Sequence, residues 1–378
     1  MKNVLLVFPS LSIKSDEGAK HRLNSFINSY AGSGYMVTTL AFVRGSYIGA
    51  STYLNKNSRW ILPPQILPIS KNRFLTSFLL FYMKIILIIV TWIKRVEVVQ
   101  MEVFAINNRL CYPKSKYYVD FHGDSLYEYV ETGRGKIDDW FALFARDLQK
   151  KSIISAHKII CVTTKLKEQL EKNTGISIDN YSIISCGVDL SKFKVFPAKV
   201  DFDYSNRIVV GYCGGLQKWQ NIDTILDIVL ELRKLDHSVY FCLFTNSDVA
   251  NIKKQLDEIG KDNCLVKALK SKDVPSYLKL LDAGFLIRDN LILNYVSSPT
   301  KISEYLAAGA GLICTKFSGD YEVFSSSCKD VVFVMEGYGK SEIHSLYLWL
   351  KNRKGKKQPN DFLRDFSFEE QFQKAALI

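Results

Sequence analysis

The sequence predicts an α/β protein made of two doubly wound domains that face a central cleft, and three observations lead to this prediction. The chain has 378 residues, more than one hydrophobic core usually serves. Short β-branched runs alternate with helical stretches, as in a parallel sheet with crossover helices. The same alternation restarts after Pro197, so a second domain of the same kind is expected.

In the first domain, residues 1–195, strands are predicted where short apolar runs lie between helical stretches. These runs are Val4–Phe8, Met36–Phe42, Val96–Glu102, Lys116–Asp120, Lys158–Thr163 and Tyr181–Ser185. The stretch from Ser191 to Asn206 holds Pro197 and few periodic residues, which is typical of an interdomain connection.

The second domain, residues 196–361, repeats the pattern. Strands are predicted at Arg207–Cys213, Val239–Phe244, Cys264–Lys267, Gly284–Ile287 and Gly311–Thr315, and helices at Asn221–Leu235, Val249–Glu258, Val274–Leu281 and Thr300–Ala308. A last helix within residues 362–378 follows the basic segment KNRKGKKQPN. We expect this helix to pack back on the first domain.

Composition narrows the class of protein. Apolar residues make up 47% and charged residues 23%, an ordinary globular balance. The net charge of +12 favours a polyanionic partner: nucleic acid, an acidic membrane or a phosphate-bearing substrate. Nucleic acid is the weakest of the three, because no recognisable binding module interleaves aromatic with basic residues. The eight cysteines have no metal-ligand spacing, which predicts buried thiols, no metal site and a reducing cytoplasm.

The twenty mostly apolar residues from Phe74 to Ile93 have the length of a membrane span. Lys84 near their middle argues against a span, because a cation there costs ~2.5 to 3.5 kcal/mol. The other interpretation is a buried or partly membrane-facing helix. Basic residues flank it at Lys71, Arg73, Lys94 and Arg95, so residues 71–95 predict peripheral attachment to an anionic membrane.

Two strand ends of the first domain carry candidate site residues. Gly18 follows the first strand and leads into a helix whose free amides can receive an anion, although a simple tight turn fits equally well. The segment VDFHGDS places His122 at another strand end, where it could donate to a sugar hydroxyl or a developing charge. The alternative is a histidine bonded only to loop carbonyls.

The second domain opens with a strand that runs into Gly214 and Gly215 and then a helix. Adjacent glycines let the backbone close on a pyrophosphate at a helix start, although GxGxxG and GxxxxGK are absent. Lys218 adds a cation, and Trp219 adds either a stacking face or interdomain packing.

The stretch SSPTKISEYLAAGAGLI is richer. Ser297 and Ser298 precede a proline at a predicted helix start, and Thr300 and Lys301 lie in the first turn. Glu304, one turn further, could bind a ribose diol or, alternatively, pair with Lys301 at helical spacing for only ~0.2 to 0.5 kcal/mol.

In this order, these segments resemble retaining nucleotide-sugar glycosyltransferases of family 4, the group 1 transferases with the GT-B fold. The glycine turn at Gly18, DFHG, ISCGVDLSKF, YCGGL and SPTKISEYLAAGAGLI each resemble a segment of that family. The last is the most specific, and the resemblance extends over much of the chain.

The resemblance implies a role for each matching residue. Glu304 would hold the donor ribose, Ser297 to Lys301 would contact its phosphates and sugar, His122 would line the sugar-binding cleft and Gly18 would approach the pyrophosphate. The resemblance implies no metal or other cofactor, because basic side chains and helix ends neutralise the leaving diphosphate.

Three positions depart from the family pattern. Its first motif glutamate corresponds to Val296, and its usual arginine and lysine after the donor-domain strand correspond to Gly215 and Gln220. Lys218, Arg288 or Lys301 could compensate, because a hydrogen bond to a charged group is worth ~1.5 to 3 kcal/mol. Arg288 follows a predicted strand, so it is included among the candidates.

The resemblance therefore implies a hexosyl-type transfer from a nucleotide diphosphate to a glycan or lipid-linked acceptor in cell-surface polysaccharide synthesis. His122, Lys301 and Arg288 would act at the reacting centre. The enzyme would be cytoplasmic, at the inner face of the membrane. Two alternatives stay open: a catalytically degenerate binding or scaffold subunit, and a nucleotide-sugar epimerase.

Overall fold

The computed structural model describes residues 2–11, 18–43, 54–66, 72–102, 110–327, 329–357 and 361–377. It divides the chain into two compact units, residues 1–186 with 371–378 and residues 187–370. Each unit is built on one parallel sheet. The predicted α/β class with two doubly wound sheets is thereby confirmed.

The first unit contains a seven-stranded sheet in the order β3-β2-β1-β4-β5-β6-β7. Its strands are β1 (Asn3–Leu11), β2 (Met36–Val43), β3 (Arg59–Ile61), β4 (Val98–Glu102), β5 (Lys116–Phe121), β6 (Lys158–Cys161) and β7 (Tyr181–Ile183). Its helices are α1 (Gly18–Gly32), α2 (Arg73–Lys94), α3 (Ser125–Glu131), α4 (Trp140–Ser155) and α5 (Thr164–Thr174). The strand order reverses between β1 and β4, and ligands of such sheets bind beyond the carboxyl ends at that point.

Helix α2 is the one described helix long and apolar enough to cross a membrane. Leu79, Met83 and Leu87 on one face are almost completely buried, whereas Phe74 and Phe81 on the other face are mostly exposed. Asn72 caps its first turn by accepting hydrogen bonds from two backbone amides, and Arg95 ends it in the left-handed region. Because one face is packed into the unit, α2 lies along its surface.

The second unit contains a six-stranded parallel sheet in the order β10-β9-β8-β11-β12-β13. Its strands are β8 (Ile208–Cys213), β9 (Val239–Phe244), β10 (Cys264–Lys267), β11 (Ala283–Leu286), β12 (Gly311–Thr315) and β13 (Val332–Met335). Its helices are α6 (Ile222–Leu235), α7 (Lys253–Ile259), α8 (Val274–Leu278), α9 (Ile292–Tyr295), α10 (Thr300–Ala307), α11 (Tyr321–Ser327) and α12 (Lys340–Arg353).

Side chains alternate between the two faces of this second sheet. Val239, Phe241 and Leu243 of β9 pack into one hydrophobic cluster, and Tyr240 and Cys242 pack into the other. A strand buried on both faces needs a continuous apolar run, which is why β9 stood out in the sequence.

The chain crosses between the units at different positions from those predicted. The division falls after Cys186 rather than at residue 195, because Val188 and Phe193 are buried in a cluster of the second unit. The last helix, α13 (Phe368–Lys374), passes into the first unit at Gln371. There Phe372 lies edge-on to Tyr30 at 4.8 Å.

Candidate functional site

The carboxyl edge of the second sheet brings together the strongest candidates. Strands β8 and β11 are neighbours where the strand order reverses, the place where doubly wound sheets bind ligands. Gly214 follows β8, Arg288 lies two residues after β11, and α10 begins nearby with Thr300 and Lys301.

Arg288 is a buried arginine whose backbone is held in place by Thr315. Thr315, at the end of β12, accepts a hydrogen bond from the Arg288 amide at 3.0 Å and donates one to its carbonyl at 2.7 Å. The guanidinium donates from Nη1 to the Trp219 carbonyl at 2.7 Å, while the buried Nε has no partner. Burial lowers the pKa of Arg288.

Lys301 lies beside this arginine on the first turn of α10. Its Nζ donates to Gln220 Oε1 at 3.2 Å and lies 5.3 Å from the centre of the Tyr212 ring. Burial, and then the charge of Arg288, lower the pKa of Lys301 to about 8. Within the described part of the chain, neither cation forms an ion pair with a carboxylate.

The backbone at Gly214 lies close to the Lys301 side chain. Its φ of +147° is a conformation that glycine adopts without strain, and a Cβ there would lie 2.6 Å from Lys301 Cε. The Tyr212 hydroxyl lies 2.6 Å from the Gly215 carbonyl and 2.9 Å from Gln220 Oε1, so its single proton is shared between these two acceptors. The double glycine is therefore tied to Lys301 through one small polar network.

Tyr305 holds α10 against the sheet. Its hydroxyl accepts a hydrogen bond from the Cys213 amide at 3.0 Å and lies 3.4 Å from the Phe285 carbonyl. A Cβ on Gly284 would lie 2.6 Å from the Tyr305 ring, so the ring packs directly on the strand. These contacts fix the helix that carries Lys301 and Glu304.

The other candidates of the second unit are more dispersed. Ser297 donates to the Asn294 carbonyl at 2.7 Å and Ser298 to Asp320 at 3.2 Å, so both hydroxyls have partners within the unit. Thr300 and Glu304 are partly exposed on α10, and Lys218 is exposed in a short 3-10 turn.

The three positions that depart from the family pattern have distinct surroundings. The Val296 side chain is only 1% exposed, so it belongs to the core. Gln220 is buried and accepts from both Tyr212 and Lys301. Gly215 carries no side chain, and a Cβ there would lie 2.5 Å from the Gln217 amide oxygen.

In the first unit, Asp120 and His122 belong to a buried charged network. Arg22 of α1 forms a two-bond pair with Asp120 at 2.9 and 2.7 Å, and also donates to the Ile184 carbonyl. His122 Nε2 lies 2.7 Å from Asp120 Oδ2, and Nδ1 lies 3.4 Å from Glu102 Oε1. Both ring nitrogens of His122 therefore face carboxylates.

Electrostatics keep this network charged. Burial opposes the charge on Asp120, but Arg22 and His122 outweigh it and hold the Asp120 pKa well below its usual range. Burial, the largest single effect, likewise opposes the charge on His122, but Asp120 and Glu102 together outweigh it and raise the His122 pKa. Burial raises the pKa of Glu102. The two carboxylates therefore favour the protonated form of the His122 imidazole.

A cavity of about 20 Å³ lies beside this network, lined by residues of β1, β4 and β5. This volume is far below the ~300 to 1,000 Å³ of small-molecule pockets. Gly18 is the first residue of α1. Residues 12–17 and 103–109, which follow β1 and β4, lie outside the described residues.

The described residues contain no group of three or more histidine, cysteine or acidic side chains that could hold a metal ion. Separately from this, Arg288 and Lys301 place two positive charges at the carboxyl edge of the second unit's sheet.

Solved structures with similar architecture cover almost the whole chain. Sucrose-phosphate synthase from Thermosynechococcus elongatus is 12% identical with a TM-score of 0.72, covering 100% of this chain and 98% of that one. WaaG, a glycosyltransferase involved in lipopolysaccharide biosynthesis, is 11% identical with a TM-score of 0.67 and 99% coverage of both chains. Anabaena HepE, solved with UDP and glucose, is 13% identical with a TM-score of 0.67, covering 100% of this chain and 98% of that one.

The chain has the GT-B fold. No protein-family model matches it, and no curated protein matches it in sequence. At identities of 11 to 13%, these likenesses establish architecture, and site roles have to be argued from this chain's own residues.

Sequence reasoning missed two positioning residues. Arg22 carried no signal beyond its place four residues into the helix after Gly18. Thr315 was included only as the end of a predicted strand, although its hydroxyl fixes the backbone of Arg288. Both act through tertiary hydrogen bonds that no spacing in the sequence reveals.

Proposed function

We propose that this protein is a glycosyltransferase that takes a sugar from a nucleotide diphosphate and transfers it to a glycan or lipid-linked acceptor. The observation that carries the proposal is the pair of cations at the carboxyl edge of the second sheet, the buried Arg288 and the half-buried Lys301. An unpaired buried charge is costly, and a diphosphate would supply the missing negative partner.

Each group at this edge has a task in the proposed reaction. The bond between the anomeric carbon and the diphosphate oxygen breaks, a bond from that carbon to the acceptor oxygen forms, and the proton of the acceptor hydroxyl passes to the departing diphosphate. Arg288 and Lys301 stabilise the charge that develops on the diphosphate, and backbone amides at the start of α10 bind its oxygens. No metal is needed in this proposal, because the two side chains provide the neutralising charge.

Glu304 is proposed to accept hydrogen bonds from the donor ribose. It lies one helical turn after Lys301 on the same face of α10, which Tyr305 anchors to the sheet. Ser297, Ser298, Thr300 and Lys218 are proposed to surround the phosphates and the sugar. His122 is proposed to line the sugar-binding cleft, as the family resemblance implies.

The finer parts of the proposal concern mechanism and setting. Retention of the anomeric configuration follows from the resemblance to family 4. Anabaena HepE was solved with UDP-glucose, which supports a nucleotide-sugar donor here. Seven described cysteines are free thiols, which supports a cytoplasmic location.

The first test is thermal stabilisation of the purified protein by UDP, GDP, ADP and CDP at equal concentrations. A ligand at ~100 times its Kd adds ~2.7 kcal/mol to the stability of the native state. We expect one nucleotide to raise the melting temperature, and Glu304→Ala to abolish the shift. Glu258→Ala, at an exposed position of α7, is the matched control.

A degenerate binding subunit is the second candidate, favoured by Val296, Gly215 and Gln220. Such a protein would bind a nucleotide but neither hydrolyse nor transfer its sugar across a broad acceptor panel. If no nucleoside diphosphate stabilises the folded protein at all, the donor-site assignment itself is wrong.

A further inference from the structure

We propose that the first unit carries a site for the phosphate headgroup of an anionic lipid at one end of an apolar surface that enters the membrane interface. The inference concerns this unit alone and does not depend on the proposed transferase activity. Two features carry it: the exposed side of α2 and a basic groove beside the end of that helix.

The apolar face of α2 is a continuous exposed stripe along the helix. Eight large apolar side chains on it are between 38% and 84% exposed: Phe74, Leu75, Phe78, Phe81, Ile85, Ile89, Trp92 and Ile93. At 100° per residue these positions fall within about a third of the helix circumference. A stripe of this kind on a helix of about 33 Å is too large to be incidental surface exposure.

The opposite side of α2 fixes how the helix can meet a membrane. Leu79, Met83 and Leu87 are at most 1% exposed against the rest of the unit, so the helix cannot leave the sheet to span a bilayer. It can lie parallel to the membrane plane with its apolar face in the interface. Lys84 is partly buried at the edge of the stripe, where its long stem lets the ammonium reach water.

The basic groove lies at the amino ends of β1, β4 and β5 and has a volume of about 580 Å³. Four cations and one carboxylate line it: Lys2, Arg95, Lys114, Lys116 and Glu97. None of the four cations forms an ion pair in the described part of the chain. The groove therefore has a net positive charge available for an external anion.

The groove and the apolar face are adjacent. Arg95 ends α2 and lines the groove, and the Tyr112 ring in the groove wall contacts the Trp92 ring at 5.8 Å. The Trp92 indole donates to the Leu110 carbonyl, and half of its surface stays exposed. A tryptophan between an apolar stripe and a cluster of cations is the arrangement found at the headgroup level of membranes.

Charge complementarity decides the occupant. A protein partner would require a matching groove for all eight apolar side chains, whereas a bilayer offers an apolar interior and an anionic rim without such a match. Because α2 connects two parallel strands, it runs antiparallel to them. Its basic end lies at the amino edge of the sheet, and its first turn lies towards the carboxyl edge that holds His122.

The test is flotation with vesicles of phosphatidylcholine alone and vesicles that also contain phosphatidylglycerol. We expect the wild-type protein to bind both and to prefer the anionic ones. Each lysine near an anionic surface is worth about five-fold in partition coefficient, so Lys114→Gln with Lys116→Gln should lower binding to anionic vesicles by about 30-fold. The same variant should bind neutral vesicles unchanged.

Phe78→Ser with Phe81→Ser should lower binding to both kinds of vesicle by roughly ten-fold or more. Leu348→Ser, at a position 53% exposed on α12, and Lys253→Gln with Lys254→Gln on α7 are matched controls that should bind as wild type does. Circular dichroism melts of every variant establish that a loss of binding is not a loss of folding.

Two results overturn the proposal. If the groove variant keeps its preference for anionic vesicles, the groove does not hold the headgroup. If inorganic phosphate raises the melting temperature but vesicles never bind, the groove is a site for free anions and the apolar face contacts something other than lipid.

Discussion

Replacing Lys301 by methionine is the most direct test of whether the positive charge of Lys301 costs stability and binds the diphosphate. Methionine has nearly the same length and volume but no charge. In the folded protein the pKa of Lys301 falls from its usual 10.5 to about 8, mainly through burial and then through Arg288. The unfolded chain therefore binds the proton more tightly than the folded chain does.

The expected change in the free energy of unfolding follows from this difference in the Lys301 pKa between the folded and unfolded chain. The drop in pKa corresponds to an upper limit of roughly 3 kcal/mol of destabilisation at neutral pH, because one pKa unit is worth about 1.4 kcal/mol. The variant also loses the hydrogen bond to Gln220, worth about 1 kcal/mol. We expect Lys301→Met to raise the free energy of unfolding by about 2 kcal/mol at pH 7.

The pH dependence gives a second readout. A lowered lysine pKa means that the stability of the wild-type protein rises between pH 8 and 10.5, as the unfolded chain releases the proton that the folded chain has already lost. The difference between wild type and variant should shrink over this range. Denaturant titration at several pH values measures it, with Lys253→Met on the exposed side of α7 as the control.

The same substitution should weaken binding of the nucleoside diphosphate identified by thermal shift. Loss of one charge-assisted hydrogen bond costs ~1.5 to 3 kcal/mol, or about 10- to 150-fold in Kd. Wild-type affinity should also fall as the pH rises above 8. A variant that is less stable than wild type and binds nucleotide equally well would refute the assignment of Lys301 as a strained phosphate ligand.

Three further predictions concern single contacts. Asp120→Asn should lower the free energy of unfolding by about 3 to 5 kcal/mol at pH 7, because it leaves buried cations unpaired. In acid titrations the difference in the free energy of unfolding between wild type and variant should become smaller below pH 3.8. There Asp120 of the unfolded wild-type chain binds a proton, so the wild-type protein loses stability. Gly214→Ala should lower the free energy of unfolding by about 1 to 3 kcal/mol and weaken nucleotide binding, because the added methyl would meet Lys301 and the backbone conformation would be strained. Gly337→Ala is the control and should change neither quantity, because nothing lies within 4 Å of the added methyl there. Phe372→Ala should cost about 3 to 5 kcal/mol in denaturant unfolding, and a loss below 1 kcal/mol would mean that the tail does not stabilise the first unit.

Elements buried on both sides could be predicted from the sequence almost to the residue. Val239–Phe244 and Gly311–Thr315 have the predicted bounds, because a parallel strand in a covered sheet needs an uninterrupted apolar run between turn residues. The edge strand Cys264–Lys267 also has its predicted bounds, although its last two residues are exposed. The short edge strand Arg59–Ile61 was not predicted. Its three residues are only partly buried, so they leave too weak a pattern.

The helix predicted at Val249–Glu258 shows a limit of periodicity. The α-helical hydrogen bonds begin only at Lys253, after a short 3-10 turn over Ala250–Ile252. Asp248 accepts a hydrogen bond from the Ala250 amide and so favours that tighter turn. Spacing of apolar residues marks the buried face of such a segment but does not distinguish the two helix types.

The candidate site was predictable in location but not in its internal contacts. Glycines after β8 and the Ser-Pro-Thr-Lys helix start marked the carboxyl edge of the second sheet. The fixing of Arg288 by Thr315 depends on two strands distant in sequence, and the pairing of Arg22 with Asp120 joins residues 98 positions apart. Such contacts arise only when the topology places the strand ends together.

The position of the last helix bears on the order in which the chain folds during synthesis. Residues 187–370 form a continuous unit and can complete their sheet as soon as they leave the ribosome. The first unit, although translated earlier, lacks Phe372 and the Gln371 side chain that accepts hydrogen bonds from Ser185 until residues 371 and 372 emerge. A nascent chain should therefore expose the hydrophobic surface around Tyr30 until that point, and a premature stop before residue 371 would leave the domain that is made first unfinished while the later one is intact.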